Sequence, residues 1–463
     1  MAPAREDRQV AVRLGGAVAL LLLLLGQAQV TVLDGSSMLA VAQSIVHHGA
    51  FSVPAPLGVP GRDGLSYSKY GLLLPLLGVI AVAVAQPLGA LIGQLDLWEA
   101  ALAASIMPLV AGALAGALYV LGRRLGAPRA AAALVGAGTV LGTYLLPYGR
   151  DFFSEPLVAL ALVVMVERAL CGRERQAGAA LALAVLARPQ SAVFVPLLFG
   201  FLLARGGGAK AILRTLAPLT LTAAIIVAYN LHRFADPLEF GYRPPVDPGF
   251  TTPLPSGAAG LLFSAEKSIF LFAPVIVLVP CAIVALWRRQ RAVVVLALAL
   301  FAATFVLAAT WHSWQGGWSW GPRLIIPGVA VVLVLLGPWI AHSTARMRVV
   351  AALFALGCAV SLAAVLAPVG VQLLDENKVP GADGPQIVRQ YRELPQLTRR
   401  SIERANDPSA RHDDQRRYLA IWQAGIVRQL GVIGIVPALL GTLVGLLVLW
   451  RVARPLAGLL RAR

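Results

Sequence analysis

The sequence predicts an all-α polytopic membrane protein with about 12 transmembrane helices, in a range of roughly 11–13. Re-entrant or juxtamembrane helices are expected in its first outer loop. Three observations carry this. Of 463 residues, 58% are hydrophobic and only 13% charged, about half the charged share of a soluble domain. The apolar residues gather into runs at about 11–32, 98–121, 130–146, 156–170, 177–187, 190–204, 211–230, 268–287, 292–311, 324–342, 349–371 and 430–450. The charge between the runs is one-sided. With the N-terminus placed inside, the inner segments hold 21 of the 39 Lys and Arg but only four of the 22 acids, whereas the outer segments hold 18 of each. The whole excess of +17 is then the positive-inside signature, and nucleic acid is excluded as a necessary partner.

Taken in order, Arg5, Arg8 and Arg13 precede the first run and set its direction. A secretory signal peptide is the other reading of this end, but no small-x-small cleavage site follows the apolar core. The stretch "YGLLLPLLGVIAVAVAQPLGALIG" (70–93) is apolar enough to span. Were it to span, "GRRLGAPR" (122–129) would face outward and every later loop would invert. Pro75 and Pro87 interrupt it, and helix interiors tolerate proline poorly, so a re-entrant or interfacial element is expected. The runs on either side of Arg188 and Pro189 are shorter than the ~20 residues of a full span. The chain divides into a membrane module at 1–345 and a C-terminal region at 346–463, which carries the longest hydrophilic segment, 373–429. Both termini are expected in the cytoplasm and the functional face outside it.

Other chemistries are excluded early. Cys171, Cys281 and Cys358 lie far apart and offer neither a zinc spacing nor a disulfide framework. No Walker-type loop is present, which argues against ATP-driven work. His47 and His48 are adjacent, so on a helix they diverge and make a poor metal pair. No cofactor is called for, and a divalent metal is left open without support.

Acids and cations at the outer ends of the spans are the candidate functional groups. Asp34 follows the first run directly. In "YGRDFFSEPLVAL", Asp151 and Glu155 are four apart, a spacing that shares one helical face. Acids converging at one membrane face can act as a general base on a hydroxyl. Lys69 heads the 70–93 stretch, Arg188 sits amid a nearly uncharged segment, Lys267 precedes the eighth run, and Arg323 stands at the mouth of the tenth. Charges within apolar segments tend to mark functional sites, and such cations suit a lipid phosphate. "WHSWQGGWSWGPR" (311–323) combines four tryptophans with Gly316 and Gly317. It reads either as an interfacial aromatic belt or as a platform on which sugar rings stack, with Trp314, Trp318 and Tyr67 as candidate sugar or acceptor contacts.

Together these motifs resemble the GT-C superfamily of membrane glycosyltransferases, similar to protein O-mannosyltransferases and the lipid A aminoarabinose transferase. The resemblance runs over about residues 10 to 345. It rests on the ordered set of Asp34, Lys69 thirty-five residues on, "GRRLG", the acid before the fourth run, "ARP" and "GGWSWGPRLIIP". It implies a GT-C-like helix arrangement, Asp34 as catalytic acid of the first loop, Lys69 as donor-phosphate ligand, and Glu155 or Asp151 as second-loop acid. Arg188, Arg323 and Lys267 are further candidates for the phosphate. Many members carry two adjacent acids in the first loop, whereas here Gly35 follows Asp34. The implied function is transfer of a sugar, a hexose or pentose, from a polyprenyl-phosphate donor to an acceptor hydroxyl on a glycan, lipid or protein. Inversion at the anomeric carbon is expected, outside the cell membrane. A transporter or flippase for a phosphate-bearing lipid or glycan is the alternative, as is a catalytically silent relative.

Overall fold

Small residues set the first packing contact of the bundle. In the computed structural model, α1 (Arg5–Leu24) crosses the helix Ile106–Arg124 so closely that a Cβ added at Gly15 would lie 2.7 Å from the Gly112 carbonyl oxygen. Backbones approach this closely at glycine pairs in membrane helices. Residues 5–27, 29–30, 32–245, 247–317, 319–341, 343–367, 385–405, 422–423, 433 and 435–461 are described.

Acids in the first turn of α1 face the helix dipole favourably and also pair across the bundle. Asp7 accepts from Arg123 Nε at 3.1 Å and from Arg129 Nε at 3.2 Å. The start of α1 and the 122–129 turn therefore share one end of the bundle. At the other end begins α2 (Leu33–His48), which closes on Gly49 in the left-handed conformation. Three two-residue strands follow, β1 (Ser52–Val53), β2 (Val59–Pro60) and β3 (Ser66–Tyr67). They form an antiparallel sheet in the order β1-β3-β2, with Tyr67 opposite both Ser52 and Val59.

Residues 70–93 are more regular than expected. They form a 20-residue helix, α3 (Leu73–Ile92), in which Pro75 occupies the first turn, where its missing N–H has no helical partner to lose. A two-residue turn folds the chain back into α4 (Leu95–Ala104) and on into α5 (Ile106–Arg124). Next come α6 (Arg129–Leu141), the short α7 (Leu145–Tyr148), α8 (Ser154–Leu170) and α9 (Glu174–Ala187). A 3-10 turn at Pro189–Phe194 leads into α10 (Val195–Ala204), and α11 (Ala209–Phe234) follows. Beyond them lie α12 (Leu254–Phe263), α13 (Ile269–Phe272) and α14 (Val279–Thr310), the last kinked at Gln290. That kink falls in the "RRQR" turn expected between two spans. The series ends with α15 (Ile326–Leu333), α16 (Leu336–Ile340), α17 (Thr344–Leu366), α18 (Gln386–Ala405) and α19 (Ile435–Arg461).

The core runs through α5, α8 and α15, whose residues are mostly buried. On the outside, α11, α14 and α19 expose Leu221, Val284 and Leu443 at 64%, 77% and 60%, faces that suit lipid. Six helical stretches among the described residues are long and apolar enough to cross a membrane: 73–91, 95–124, 209–234, 274–310, 344–366 and 435–460. Shorter apolar helices at 129–141, 189–204, 254–263 and 323–333 accompany them. The architecture is thus an all-α polytopic membrane bundle, with several expected spans built from shorter or broken helices. Of the hydrophilic segment 373–429, the 386–405 helix is found, and most of the remainder lies outside the described residues.

Candidate functional site

Asp34 stands in the first turn of α2, where the helix dipole favours a carboxylate. The tyrosine after Lys69 donates to it, Tyr70 Oη to Asp34 Oδ1 at 2.6 Å. Arg323 Nη2 meets Asp34 Oδ2 at 2.9 Å. Burial pushes the Asp34 carboxyl up, but the Arg323 guanidinium, the Tyr70 hydroxyl and the Arg188 charge outweigh it and hold it below the ordinary carboxylate value. Burial and the Asp34 charge push the Tyr70 hydroxyl well up. Burial opposes the charge on Arg323, yet Asp34 and Glu155 raise it above its ordinary value.

The second acid is Glu155, in the first turn of α8 just before Pro156. Arg188 Nη1 contacts its Oε1 at 2.5 Å, and Arg323 Nη1 lies 3.9 Å from the same oxygen. Arg188 is delivered by the break between α9 and α10. A residue before proline is driven to extended backbone, and Arg188 sits at φ −147°, ψ 104°. The Lys69–Tyr70 strap crosses this break so closely that a Cβ at Gly71 would lie 2.2 Å from the Ala187 carbonyl oxygen. From the other side, Arg233 at the end of α11 donates to the Ser68 carbonyl and to Asn230 Oδ1, anchoring the strap.

Lys69 itself pairs with Asp247 Oδ2 at 2.5 Å, and His312 Nε2 lies 3.5 Å from the other Asp247 oxygen. Its ammonium also faces the Tyr242 ring, 5.2 Å from the centroid. Asp34, Lys69, Tyr70, Arg188, Arg323 and Tyr242 line one cavity of about 680 Å³, together with Glu239, Asp247 and the apolar Val158, Phe194, Leu307 and Leu324. Glu155 lines a small recess that shares Asp34, Tyr70, Arg188 and Tyr242 with this cavity.

Gly35 has a physical reason. A Cβ there would lie 2.7 Å from Val30 Cγ1 and 2.9 Å from the Phe152 carbonyl oxygen. A second acid beside Asp34 therefore has no room, because the loop before α8 passes against it.

The other expected residues lie elsewhere. Asp151 is buried outside the cavity wall, its Oδ1 accepting from the Phe152 N–H at 2.8 Å. Helix α8 starts only at Ser154, so the spacing of four to Glu155 does not set a shared face. Tyr67 is buried on β3 against Phe234 and His232. Trp314 packs on Gly260 of α12, and Trp318 lies outside the described residues. Lys267 is buried away from the cavity and donates to the Ser319 carbonyl; burial pushes its ammonium down to about 7. The sequence reading missed Tyr70, Asp247, Tyr242 and His312. Of these only Tyr70, adjacent to Lys69, carried a local signal.

The strap that carries Arg323 is fixed by several donors. Tyr148 donates to the Trp320 carbonyl at 2.7 Å. Gln386, on α18, donates to the Ser319 carbonyl at 3.0 Å and accepts from the Gly321 N–H at 3.2 Å. Arg389 of the same helix lies 3.5 Å from Glu266. His47 meets Glu99 rather than a second metal ligand, at 2.7 Å. Among the described residues no three His, Cys, Asp or Glu side chains gather in a metal-holding group.

Over nearly its whole length the chain shares its helix arrangement with a solved structure. Its likeness is to the crystal structure of ArnT from Cupriavidus metallidurans in the apo state. The TM-score is 0.50 at 16% identity, covering 96% of this chain and 76% of that one. ArnT bound to undecaprenyl phosphate aligns at TM-score 0.49, 16% identity, and the same coverage of 96% and 76%. The archaeal oligosaccharyltransferase AglB from Archaeoglobus fulgidus, in complex with an inhibitory peptide and a dolichol-phosphate, aligns at 0.49 and 13% identity, covering 79% and 55%. The sequence matches no family model and no curated protein.

Proposed function

We propose that the chain transfers a sugar from a polyprenyl-phosphate donor to an acceptor hydroxyl. The observation that carries this reading is the cavity itself, where Asp34 meets Lys69, Arg188 and Arg323 and where apolar Val158, Phe194, Leu307 and Leu324 also line the wall. Lys69, Arg188 and Arg323 suit the donor phosphate, since charge-assisted contacts stabilise a leaving phosphate as its charge develops. The apolar wall suits the isoprenoid tail. Asp34 takes the proton from the acceptor hydroxyl, whose oxygen attacks the anomeric carbon. The anomeric carbon–phosphate oxygen bond breaks, and polyprenyl phosphate departs with inversion at carbon. Glu155 holds Arg188 and Arg323 in register.

The resting ion pair makes Asp34 a poor base, because Arg323 stabilises its ionised form. A donor phosphate arriving beside Arg323 competes for the guanidinium, so the base is released as the leaving group is bound. The outer, non-cytoplasmic face of the membrane is the proposed location of the site.

The test uses the full chain in detergent with a panel of undecaprenyl-phosphate sugars, following release of undecaprenyl phosphate and the anomeric configuration of the product. Asp34→Asn keeps the shape and removes the basicity. It should lose about 10²–10⁴-fold in transfer while still binding undecaprenyl phosphate. Near-normal transfer by a folded Asp34→Asn protein would overturn the mechanism.

A further inference from the structure

At the opposite end of the bundle, a second cavity of about 380 Å³ is walled by Arg124, Arg205, Arg289 and Arg291. Glu155 stands in the first turn of α8 and Leu170 ends it, so about 22 Å of helix separates this pocket from the carboxylate site. Four chain segments that are distant in sequence deliver its wall: the end of α5, the end of α8, the end of α10 and the kink of α14. The kink is tied in place, because Gln290 leaves helical geometry at φ −138°, ψ 37° and its Nε2 donates to the Leu125 carbonyl at 2.7 Å.

The wall contains no acid. Glu167 lies behind it, engaged by Arg124 at 3.2 Å and Arg168 at 3.1 Å. Arg205, Arg289 and Arg291 are exposed, and among the described residues no carboxylate pairs with them. Arg205 and Arg291 instead lie over the Phe201 and Trp287 rings, 5.6 and 5.2 Å from the centroids. Like charges so gathered repel unless an anion enters, and guanidinium groups match phosphate oxygens in geometry. The helices that deliver Arg205, Arg289 and Arg291, α10 and α14, also expose Leu203 at 56%, Val284 at 77% and Trp287 at 39%. An apolar flank carrying an interfacial tryptophan is where acyl chains lie.

We propose that this pocket binds the phosphate headgroup of an anionic membrane lipid, with the acyl chains along the Leu203–Val284 flank. Basic pockets between membrane helices take such headgroups. The proposal stands independently of the sugar-transfer reading.

The test is binding of dioctanoylphosphatidylglycerol, dioctanoylphosphatidylcholine and inorganic phosphate to the full chain in a neutral detergent. The glycerol lipid should bind, and the choline lipid should bind at least about tenfold more weakly. The Arg205→Gln/Arg289→Gln double variant should lose about tenfold or more in affinity for the anionic lipid, and Arg289→Lys should keep most of it. Unchanged affinity in the double variant overturns the proposal. Inorganic phosphate displacing the lipid at equal concentration assigns the pocket to a free anion and overturns the lipid reading. Should the double variant not fold, a photoactivatable phosphatidylglycerol on the unaltered chain decides. Labelling within 287–292 supports the site, and labelling confined elsewhere overturns it.

Discussion

Gly35→Ala is the smallest perturbation that probes how the two acidic segments meet. The added methyl would lie 2.7 Å from Val30 Cγ1 and 2.9 Å from the Phe152 carbonyl oxygen. The valine can rotate, but the carbonyl belongs to backbone leading into α8, so the loop must move by several tenths of an ångström. Overpacking of this kind costs about 1–3 kcal/mol, a lowering of the unfolding midpoint of on the order of a few °C. Gly35→Asp should cost more, because it adds a buried carboxylate beside Asp34 to the same clash. Displacing Phe152 also moves Phe153, whose ring supports the Arg323 guanidinium at 5.0 Å, so transfer should fall together with stability. Differential scanning fluorimetry of the purified chain in detergent reads the first effect, and release of undecaprenyl phosphate reads the second. A Gly35→Ala protein with the unaltered midpoint and full activity would refute the claim that close packing keeps a second acid out.

Further expectations follow from the same contacts. Arg323→Gln removes the charge that lowers the Asp34 pKa while leaving the burial that raises it; activity lost as pH falls should then be lost at higher pH, and a pH–rate profile with an unmoved acid limb refutes this. Lys69→Ala should weaken undecaprenyl phosphate binding by about 10–150-fold, the equivalent of one charge-assisted contact of about 1.5–3 kcal/mol, as read by thermophoresis. Lys267 is protonated below its ordinary value near 10.5 when unfolded but only below about 7 when folded. The unfolded chain therefore binds the extra proton between these values, and stability should rise from pH 7 towards 10; Lys267→Met should flatten that rise. Gln386→Leu should lower turnover more than undecaprenyl phosphate affinity, because it loosens the strap before Arg323 while leaving Lys69 and Arg188 in place.

Much of the site was legible because charges stand out in an apolar sequence. Asp34, Lys69, Glu155, Arg188 and Arg323 were each conspicuous for that reason, and the fold brings all five together. Asp151, Tyr67 and Lys267 lie off the cavity wall for specific reasons. Asp151 was paired with Glu155 on helical spacing, but the helix begins three residues too late for that rule. Tyr67 is expected as a sugar or acceptor contact, but β3 ends there and turns its ring into the Phe234 contact. Lys267 looked like Arg323 in sequence, yet it is consumed by the Ser319 carbonyl. Asp247 and Tyr242 sit on a proline-rich loop with neither periodicity nor motif, and only the fold carries them to Lys69. The prolines of 70–93 suggested interruption, yet helix position decides what a proline does, and Pro75 falls where it does little harm.

The hydrogen bonds from Gln386 to the Ser319–Gly321 strap have a consequence for biosynthesis. The residue that orients Arg323 emerges from the ribosome more than sixty positions after it. A nascent chain ending near residue 345 would already contain Asp34, Lys69, Glu155, Arg188 and Arg323 but would have its arginine strap untied on that side. The site is thus completed late in translation, by a segment whose described residues contribute no cavity-lining group. Co-expression of separate 1–345 and 346–463 fragments would ask whether that late segment can arrive as a second chain.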